Sequence, residues 1–191
     1  MIIQYSGNLG LACDLNAFET ALRGLASTGD LSRFQFILRG DGIQRVEAQR
    51  IASQYENVTY LPPVHPQEVS AAMADCHAHL ILMPSRLLGC VYPSKANSIM
   101  AVARPIIASL PGASKLSTFI SSHRVGYVSP AEDPSQLASC LLKARRDLTD
   151  NPSVLSEMGA RGWQYVSHDW NRGKATAAYR DLLQQVLEEE R

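Results

Sequence analysis

Short apolar runs alternate with longer amphipathic segments along most of this chain. The runs predict buried strands at residues 2–5, 34–38, 58–61, 79–83, 106–108 and 126–128. Between the first two strands, Leu15, Phe18 and Leu22 recur at helical spacing, which predicts a helix with one apolar face. Strands that alternate with helices in this way are typical of a parallel sheet. We therefore predict an α/β fold, a Rossmann-like, doubly wound parallel sheet of about six strands flanked by helices.

Apolar residues mark several later helices as well. They are Ile43, Val46 and Ile51 in the second helix and Met158, Trp163 and Val166 near the carboxyl end, and the third helix is expected to carry Val69, Met73 and Cys76 inward. The final helix carries an apolar stripe, Tyr179, Leu182, Leu183, Val186 and Leu187, above a charged face that ends at Glu190. We divide the chain into a sheet-containing domain, 1–170, and a carboxyl-terminal helix, 171–191.

Composition narrows the class of protein. Of 191 residues, 46% are apolar and 19% are charged, as in an ordinary globular protein. The formal net charge of zero and the lack of a basic stripe argue against a nucleic-acid partner. The four cysteines have no CxxC spacing, and no apolar run has the length of a membrane span, so we expect a cytoplasmic protein. Because an apolar strand follows Met1 at once, we expect the chain to be half of a longer fold.

Three loops follow strands and should meet at the carboxyl edge of the sheet, where open α/β sheets bind ligands. In the first loop, Gly7 and Gly10 let the backbone approach a ligand closely before a helix begins. This loop is not a complete GxGxxG motif and lacks a Walker lysine, so a tight turn without a ligand stays open. In the second loop, Arg39 has the geometry to bind a phosphate in a bidentate way, and a solvated arginine in a turn is the alternative.

The third loop leads into a short helix at Pro93, Ser94 and Lys95. Ser94 is a good N-cap, and the first helical turn offers N–H groups and the positive end of the helix dipole to an anion. Lys95 would neutralise a diphosphate, while Ser98, on the same face as Ser94, would meet a ribose hydroxyl. The alternative is a structural cap beside a solvated lysine.

Histidines give little support for a metal site. His77 and His79 stand at i and i+2 on one face of a predicted strand. No third ligand is evident in the sequence, and structural zinc needs four ligands. We expect no metal.

Five segments together resemble the carboxyl-terminal, donor-binding domain of a GT-B glycosyltransferase of group 1, the GT4 family. They are YSGNLG, LRGDG, the stretch from YLPPVHP to HLILMP, YPSKANSIMAVARPIIAS and GYVSPAEDPSQLASCL. Their order and spacing match the family over essentially the whole chain, and the PSK helix start is similar to a bacterial subgroup that includes colanic-acid glycosyltransferases. The resemblance implies one half of a GT-B fold, in which two Rossmann-like domains face each other across a cleft.

The resemblance also implies which residues hold the donor, a nucleotide diphosphate sugar with UDP or GDP as the expected nucleotide, and it implies no cofactor. The positions that match the donor-binding motifs are Gly7, Asn8, Gly10, Arg39, Gly40, Val64, His65, Pro93, Ser94, Lys95 and Ser98. By this resemblance the glycine loop lies against the diphosphate or sugar, Arg39 closes the phosphate side, and Val64 and His65 lie near the base. Lys95 would stabilise the leaving diphosphate, and the catalytic groups would come mainly from the other domain.

Two departures from the family pattern bear on activity. Asn8 stands where many members have an arginine, and Cys90 and Ser98 stand at the two positions of the family's EX7E glutamates. A serine hydroxyl lacks the charge and the bidentate reach of a carboxylate, so the donor affinity is left open. The base, the sugar, the acceptor and the stereochemical outcome are open as well.

The resemblance implies sugar transfer to an acceptor hydroxyl, in polysaccharide or cell-surface glycan biosynthesis, with this chain as the donor-binding half. The expected partners are the sugar nucleotide, an amino-terminal acceptor domain that the terminal helix would reach, the inner face of a membrane through that domain, and a second copy through the apolar stripe. Two alternatives stay open. One is a non-catalytic nucleotide-binding or assembly module on the same fold, and the other is a different GT-B enzyme such as a sugar-nucleotide epimerase.

Overall fold

The computed structural model describes residues 1–189 of the chain, in which strands and helices alternate. The strands are β1 (Ile2–Ser6), β2 (Gln35–Arg39), β3 (Val58–Leu61), β4 (Ala78–Leu82), β5 (Ile106–Leu110) and β6 (Gly126–Pro130). The helices are α1 (Leu15–Ser27), α2 (Arg45–Gln54), α3 (Val69–Ala74), α4 (Lys95–Ala101), α5 (Lys115–Ser122), α6 (Pro134–Asp150), α7 (Ser153–His168) and α8 (Arg172–Glu189). Residues 190 and 191, which belong to the predicted terminal helix, lie outside the described residues.

The six strands form one parallel sheet in the order β3-β2-β1-β4-β5-β6. The chain builds from β1 to the β3 edge, returns to the centre at β4, and then builds to the β6 edge. β1 and β4 are therefore neighbours, and Gln4 pairs with His79 in their register. Loops that follow these two strands run to opposite sides, which leaves a crevice at the carboxyl edge between them. This order confirms the predicted doubly wound α/β fold.

Helices cover both faces of the sheet. One apolar cluster joins the sheet to α1, α2 and α6, and a second joins it to α4, α5 and α7. β4 supplies both clusters, because Leu80 points to the first and Ile81 to the second. All residues of β4 and β5 are buried, as expected for central strands with both faces covered.

Close packing of α7 on α4 fixes the direction of α4, which begins at Lys95. A Cβ on Gly159 would lie 2.1 Å from the carbonyl oxygen of Ala103, and a Cβ on Gly162 would lie 2.9 Å from Cγ of Met100. Glycine at both positions therefore lets the backbone of α7 reach the carboxyl end of α4.

Two of the three apolar residues that mark α2 in the sequence face solvent. Ile51 is buried, but Ile43 is 75% exposed and Val46 is 72% exposed. Ile43 precedes the helix, and α2 packs on the sheet through Ala48 and Ile51, three positions apart. Val46 lies two positions before Ala48, about 200° around the helix, and so faces solvent.

One of the apolar residues that mark α7 in the sequence also faces away from the sheet. Val166 is buried, whereas Trp163 is 48% exposed. The buried positions of α7 are Leu155, Gly159, Gly162 and Val166, spaced by four, three and four residues. Trp163 follows Gly162 directly and therefore turns away from the sheet.

The apolar stripe of α8 faces solvent, with its five residues Tyr179, Leu182, Leu183, Val186 and Leu187 between 46% and 71% exposed. The contact of this stripe with another surface stays a prediction. Neither α8 nor any other helix in residues 1–189 is long and apolar enough to cross a membrane.

Candidate functional site

A cavity of about 540 Å³ opens at the carboxyl edge of the sheet, at the crevice between β1 and β4; we call it the main cavity. Its buried lining is apolar and includes Met73, Ile81 and Met83. Seven of the residues predicted from the sequence line it together, namely Gly7, Asn8, Gly10, Pro93, Ser94, Lys95 and Ser98. The fold thus brings the first and third predicted loops to one place.

Backbone hydrogen bonds from alternate residues hold the loop after β1 against the end of β2 and the loop that follows it. The N–H of Gly7 donates to the carbonyl oxygen of Arg39 at 3.0 Å, and the N–H of Leu9 donates to that of Asp41 at 2.8 Å. The N–H groups of Asn8 and Gly10 have no acceptor within residues 1–188. Amide groups held by such a loop are available to an anion such as a phosphate.

Gly40 allows the two loops to approach each other. Its φ is +149°, and a Cβ at this position would lie 1.8 Å from the carbonyl oxygen of Gly7. Any side chain here would push Gly7 away from β2. The structure therefore explains Gly40 by the packing that holds the loop after β1 in place.

Lys95 reaches from the start of α4 to β1. Its Nζ lies 3.5 Å from the centroid of the Tyr5 ring, and 3.6 Å from the position that a Cβ would take on Gly7. Burial lowers the pKa of Lys95 from 10.5 to about 8. No carboxylate in residues 1–188 forms a salt bridge with it. The cavity therefore holds a cation whose charge is not neutralised by an acidic neighbour in the described part of the chain.

Tyr5 belongs to this site, and sequence reasoning missed it. The residue is 2% exposed, and its hydroxyl donates a hydrogen bond of 2.7 Å to the carbonyl oxygen of Asn8. Burial raises the pKa of Tyr5, so the hydroxyl stays protonated as a donor. The one signal in the sequence is position, because Tyr5 ends the buried part of β1 two residues before Gly7.

Ser94 does not cap α4, so that prediction is wrong. Its backbone already has helical angles, φ −58° and ψ −21°, and its side chain makes no capping hydrogen bond. A capping side chain reaches back to the helix from an extended backbone, which Ser94 lacks. Ser94 and Ser98 are instead exposed in the lining of the main cavity.

A second cavity of about 330 Å³ adjoins the first and shares Ser6, Gly7, Asn8 and Val69 with it. Arg39, Gly40 and Val64, all predicted from the sequence, line this cavity. Nε of Arg39 is buried and has no hydrogen-bond partner within residues 1–188. Val69, which was predicted to point into the core, is 38% exposed because it borders both cavities.

His65 lies outside the lining of both cavities. It is exposed and precedes a short 3-10 turn, Pro66–Glu68, where its Nδ1 accepts a hydrogen bond of 3.5 Å from the N–H of Gln67. Its neighbour Val64 lines the second cavity.

Cys90, at the first of the two glutamate positions in the family pattern, is also outside the main cavity. It is exposed and lines a third cavity of about 440 Å³ beside the start of α5. Within residues 1–188 no carboxylate lines the main cavity. Chemistry that requires a carboxylate there, as an epimerase would, has no candidate residue in this part of the chain.

The histidines considered for a metal have structural contacts. Nδ1 of His77 accepts a hydrogen bond of 3.0 Å from the N–H of Ile2, and Nε2 of His79 lies 2.8 Å from the carbonyl oxygen of Met73. Burial lowers the pKa of His79 to about 4, which keeps it neutral. In the described residues, no three metal-binding side chains are grouped together.

Sequence comparison gives a family and a relative. The family described as "Glycosyl transferases group 1" matches residues 3–147. Over 137 residues the chain is 25% identical to the "Probable glycosyltransferase WbjE" of Pseudomonas aeruginosa. This match covers 72% of this chain and 34% of that protein. The chain therefore spans about one third of the length of this curated relative.

Structural comparison gives similar folds at low sequence identity. The C-terminal domain of the group 1 family protein LpcC from Francisella tularensis has a TM-score of 0.67 at 13% identity, over 90% of this chain and 86% of that one. HepE of Anabaena, solved with UDP and glucose, has a TM-score of 0.73 at 12% identity, over 96% of this chain and 48% of that one. These likenesses show the fold, and the family match covers most of the sequence. The chain belongs to the group 1 glycosyl transferases.

Proposed function

We propose that this chain is the donor-binding half of a glycosyltransferase and binds a nucleotide diphosphate sugar in the main cavity. The proposal rests on one observation. The Lys95 ammonium, which forms no salt bridge with residues 1–188, lies beside the loop whose Asn8 and Gly10 N–H groups have no acceptor in those residues. A cation and two free amides in one cavity suit a pyrophosphate. Membership of the group 1 family supports this assignment.

The two adjoining cavities suggest how the donor lies. The diphosphate would occupy the main cavity between the glycine loop and Lys95, and the Ser98 hydroxyl would meet the ribose. The base would enter the second cavity against Val64, with Arg39 closing the phosphate side. The complex of HepE with UDP and glucose, a protein of the same fold, supports a sugar nucleotide as the ligand class.

In the proposed reaction, the bond between the anomeric carbon and the β-phosphate oxygen breaks, and the acceptor oxygen bonds to that carbon. The acceptor proton passes to a base on another domain. Negative charge develops on the departing diphosphate, where Lys95 and the amides of Asn8 and Gly10 would stabilise it. An acceptor domain, contacted through the exposed stripe of α8, would complete the cleft.

Calorimetric titration of the purified chain tests the donor site. UDP, GDP, ADP, dTDP and their sugars are titrated in turn, and we expect binding of at least one nucleoside diphosphate. Lys95→Met should weaken it about tenfold or more, because a hydrogen bond to a charged group contributes about 1.5–3 kcal/mol. Lys174→Met, which removes an equal charge from the exposed start of α8, is the matched control. Failure of every nucleotide to bind a folded sample would contradict the proposal.

A second candidate is a nucleotide-binding module without catalysis, favoured by Cys90 and Ser98 at the glutamate positions of the family pattern. Both candidates bind the donor, but only the first cleaves it. Release of labelled sugar from the bound donor by the full-length gene product, by hydrolysis or transfer, therefore separates them. Binding without release would favour the module.

A further inference from the structure

Tyr5 contacts two parts of the main cavity from the buried side of its lining. It is the last buried residue of β1. Its ring lies under the Lys95 ammonium, with Nζ 3.5 Å from the ring centroid, and its hydroxyl donates to the carbonyl oxygen of Asn8 at 2.7 Å. One core side chain therefore contacts both the cation at the start of α4 and the amide loop after β1.

An aromatic ring holds a lysine without neutralising its charge. A carboxylate in the same place would form a salt bridge, and an incoming phosphate would compete with it. The face of the Tyr5 ring attracts the ammonium and leaves its positive charge uncompensated. It also restricts a side chain that loses much conformational entropy when a ligand orders it. The contact thus prepares Lys95 for an anion.

The Tyr5 hydroxyl prepares the glycine loop for an anion as well. The peptide group between Asn8 and Leu9 is held by two hydrogen bonds. Its C=O accepts from the Tyr5 hydroxyl, and its N–H donates to the carbonyl oxygen of Asp41. A carbonyl turned into the cavity would repel a phosphate. With this peptide fixed, the flanking N–H groups of Asn8 and Gly10 are the free donors of the loop.

We infer that Tyr5 is a positioning residue for a nucleoside diphosphate: its ring places the Lys95 ammonium, and its hydroxyl keeps the Asn8 carbonyl away from the pyrophosphate. The inference rests on the proposed function, because Tyr5 acts through Lys95 and Asn8. It adds a residue that the family resemblance did not indicate.

Two substitutions separate the ring from the hydroxyl. Tyr5→Phe keeps the ring and removes one hydrogen bond, so UDP or GDP should bind about fivefold more weakly. Tyr5→Leu removes both contacts, and we expect a loss of about thirtyfold or more. Tyr127 provides the matched control, because it is also a buried strand tyrosine with a hydroxyl bonded to Asp147 at 2.7 Å and a lysine, Lys143, 5.4 Å from its ring. Tyr127→Phe should leave the affinity unchanged.

A double-mutant cycle distinguishes positioning from a general effect on folding. In the Lys95→Met background there is no ammonium to place, so adding Tyr5→Leu should cost only the share that belongs to the hydroxyl, about fivefold. A merely structural effect would cost the same about thirtyfold in both backgrounds. Should Tyr5→Leu fail to fold, Tyr5→Phe decides alone, since it retains the shape of the core.

Proton NMR of the ligand-free chain adds a readout that does not depend on function. The ring should shift the Hε resonance of Lys95 upfield in the wild type and in Tyr5→Phe, and the shift should vanish in Lys95→Met, which assigns it. No upfield resonance overturns the inference. If Tyr5→Phe and Tyr5→Leu both bind the nucleotide as tightly as the wild type does, the inference is overturned and the proposed function stands. An upfield resonance in a wild type that binds no nucleotide overturns the proposed function, and the positioning role with it.

Discussion

Tyr92 and Trp170 meet edge to face, with ring centroids 5.6 Å apart and ring planes at 80°. Tyr92 lines the main cavity, and Trp170 lies in the turn between α7 and α8. Tyr165 continues the cluster, 6.0 Å from Trp170 and 4.6 Å from Phe119. The segment that leads to Lys95 is thus packed against the start of α8, so a ligand that orders this segment changes the surroundings of an indole.

Tryptophan fluorescence should therefore report donor binding from one position. The chain has two tryptophans, Trp163 and Trp170. In Trp163→Phe the remaining Trp170 should change its emission as UDP or GDP is added, whereas in Trp170→Phe the exposed Trp163 should stay constant. An equal response from both single-tryptophan variants would show that the Tyr92 contact does not transmit binding.

Alanine substitutions at two glycines should have opposite effects on stability. Gly40→Ala places a Cβ 1.8 Å from the carbonyl oxygen of Gly7 at a left-handed φ of +149°, so we expect about 2 kcal/mol or more of lost unfolding free energy and weaker nucleotide binding. Gly24, inside α1, has nothing within 4 Å of an added Cβ. Gly24→Ala should stabilise the chain by about 0.5–1 kcal/mol. Urea denaturation measures both, and a neutral Gly40→Ala would contradict the close approach of the two loops.

Nucleotide affinity should fall as the pH rises above about 8. Burial lowers the pKa of Lys95 to about 8, and a bound diphosphate favours its charged form, so the complex binds more protons than the free site. Affinity is therefore highest below this pKa and decreases above it. The neighbouring Cys13, whose pKa burial raises to about 11, and Tyr5, whose pKa burial raises as well, stay neutral in this range.

Calorimetry from pH 7 to 9.5 measures this dependence. Lys95→Met should bind weakly and show no decrease across the same range, because the group that titrates is gone. A wild-type affinity that stays constant up to pH 9.5 would show that the Lys95 ammonium does not contact the ligand.

The sequence predicts the sheet and the location of the cavities well, because both depend on the chain order of apolar runs. β4 is buried on both faces, and the loops after parallel strands must meet at one edge. The glycine loop follows β1 directly, and Lys95 begins the first α-helix after β4, so their meeting at one edge follows from topology.

Contacts that depend on backbone angles, or on which side of a short helix faces the sheet, could not be predicted from the sequence. Ser94 has the residue type of a cap, but its helical backbone prevents capping. Ile43 and Val46 have apolar side chains, yet α2 needs only Ala48 and Ile51 to cover the sheet. The alternation along β1 is consistent with Tyr5 as a core residue. Its contact with Lys95 is visible only in the structure, where the ammonium lies over the ring.

The exposed stripe of α8 leads to a prediction about association. Tyr179, Leu182 and Leu183 are each more than half exposed, and a contiguous apolar surface of this kind favours contact with another protein surface. We expect the purified chain to self-associate as its concentration rises, measured by light scattering. Leu183→Glu should reduce this association, because a carboxylate in the contact is costly to desolvate. Ile43→Glu changes an exposed apolar residue outside the stripe and should leave the association unchanged. A strict monomer at high concentration would show that the stripe does not pair with a second copy.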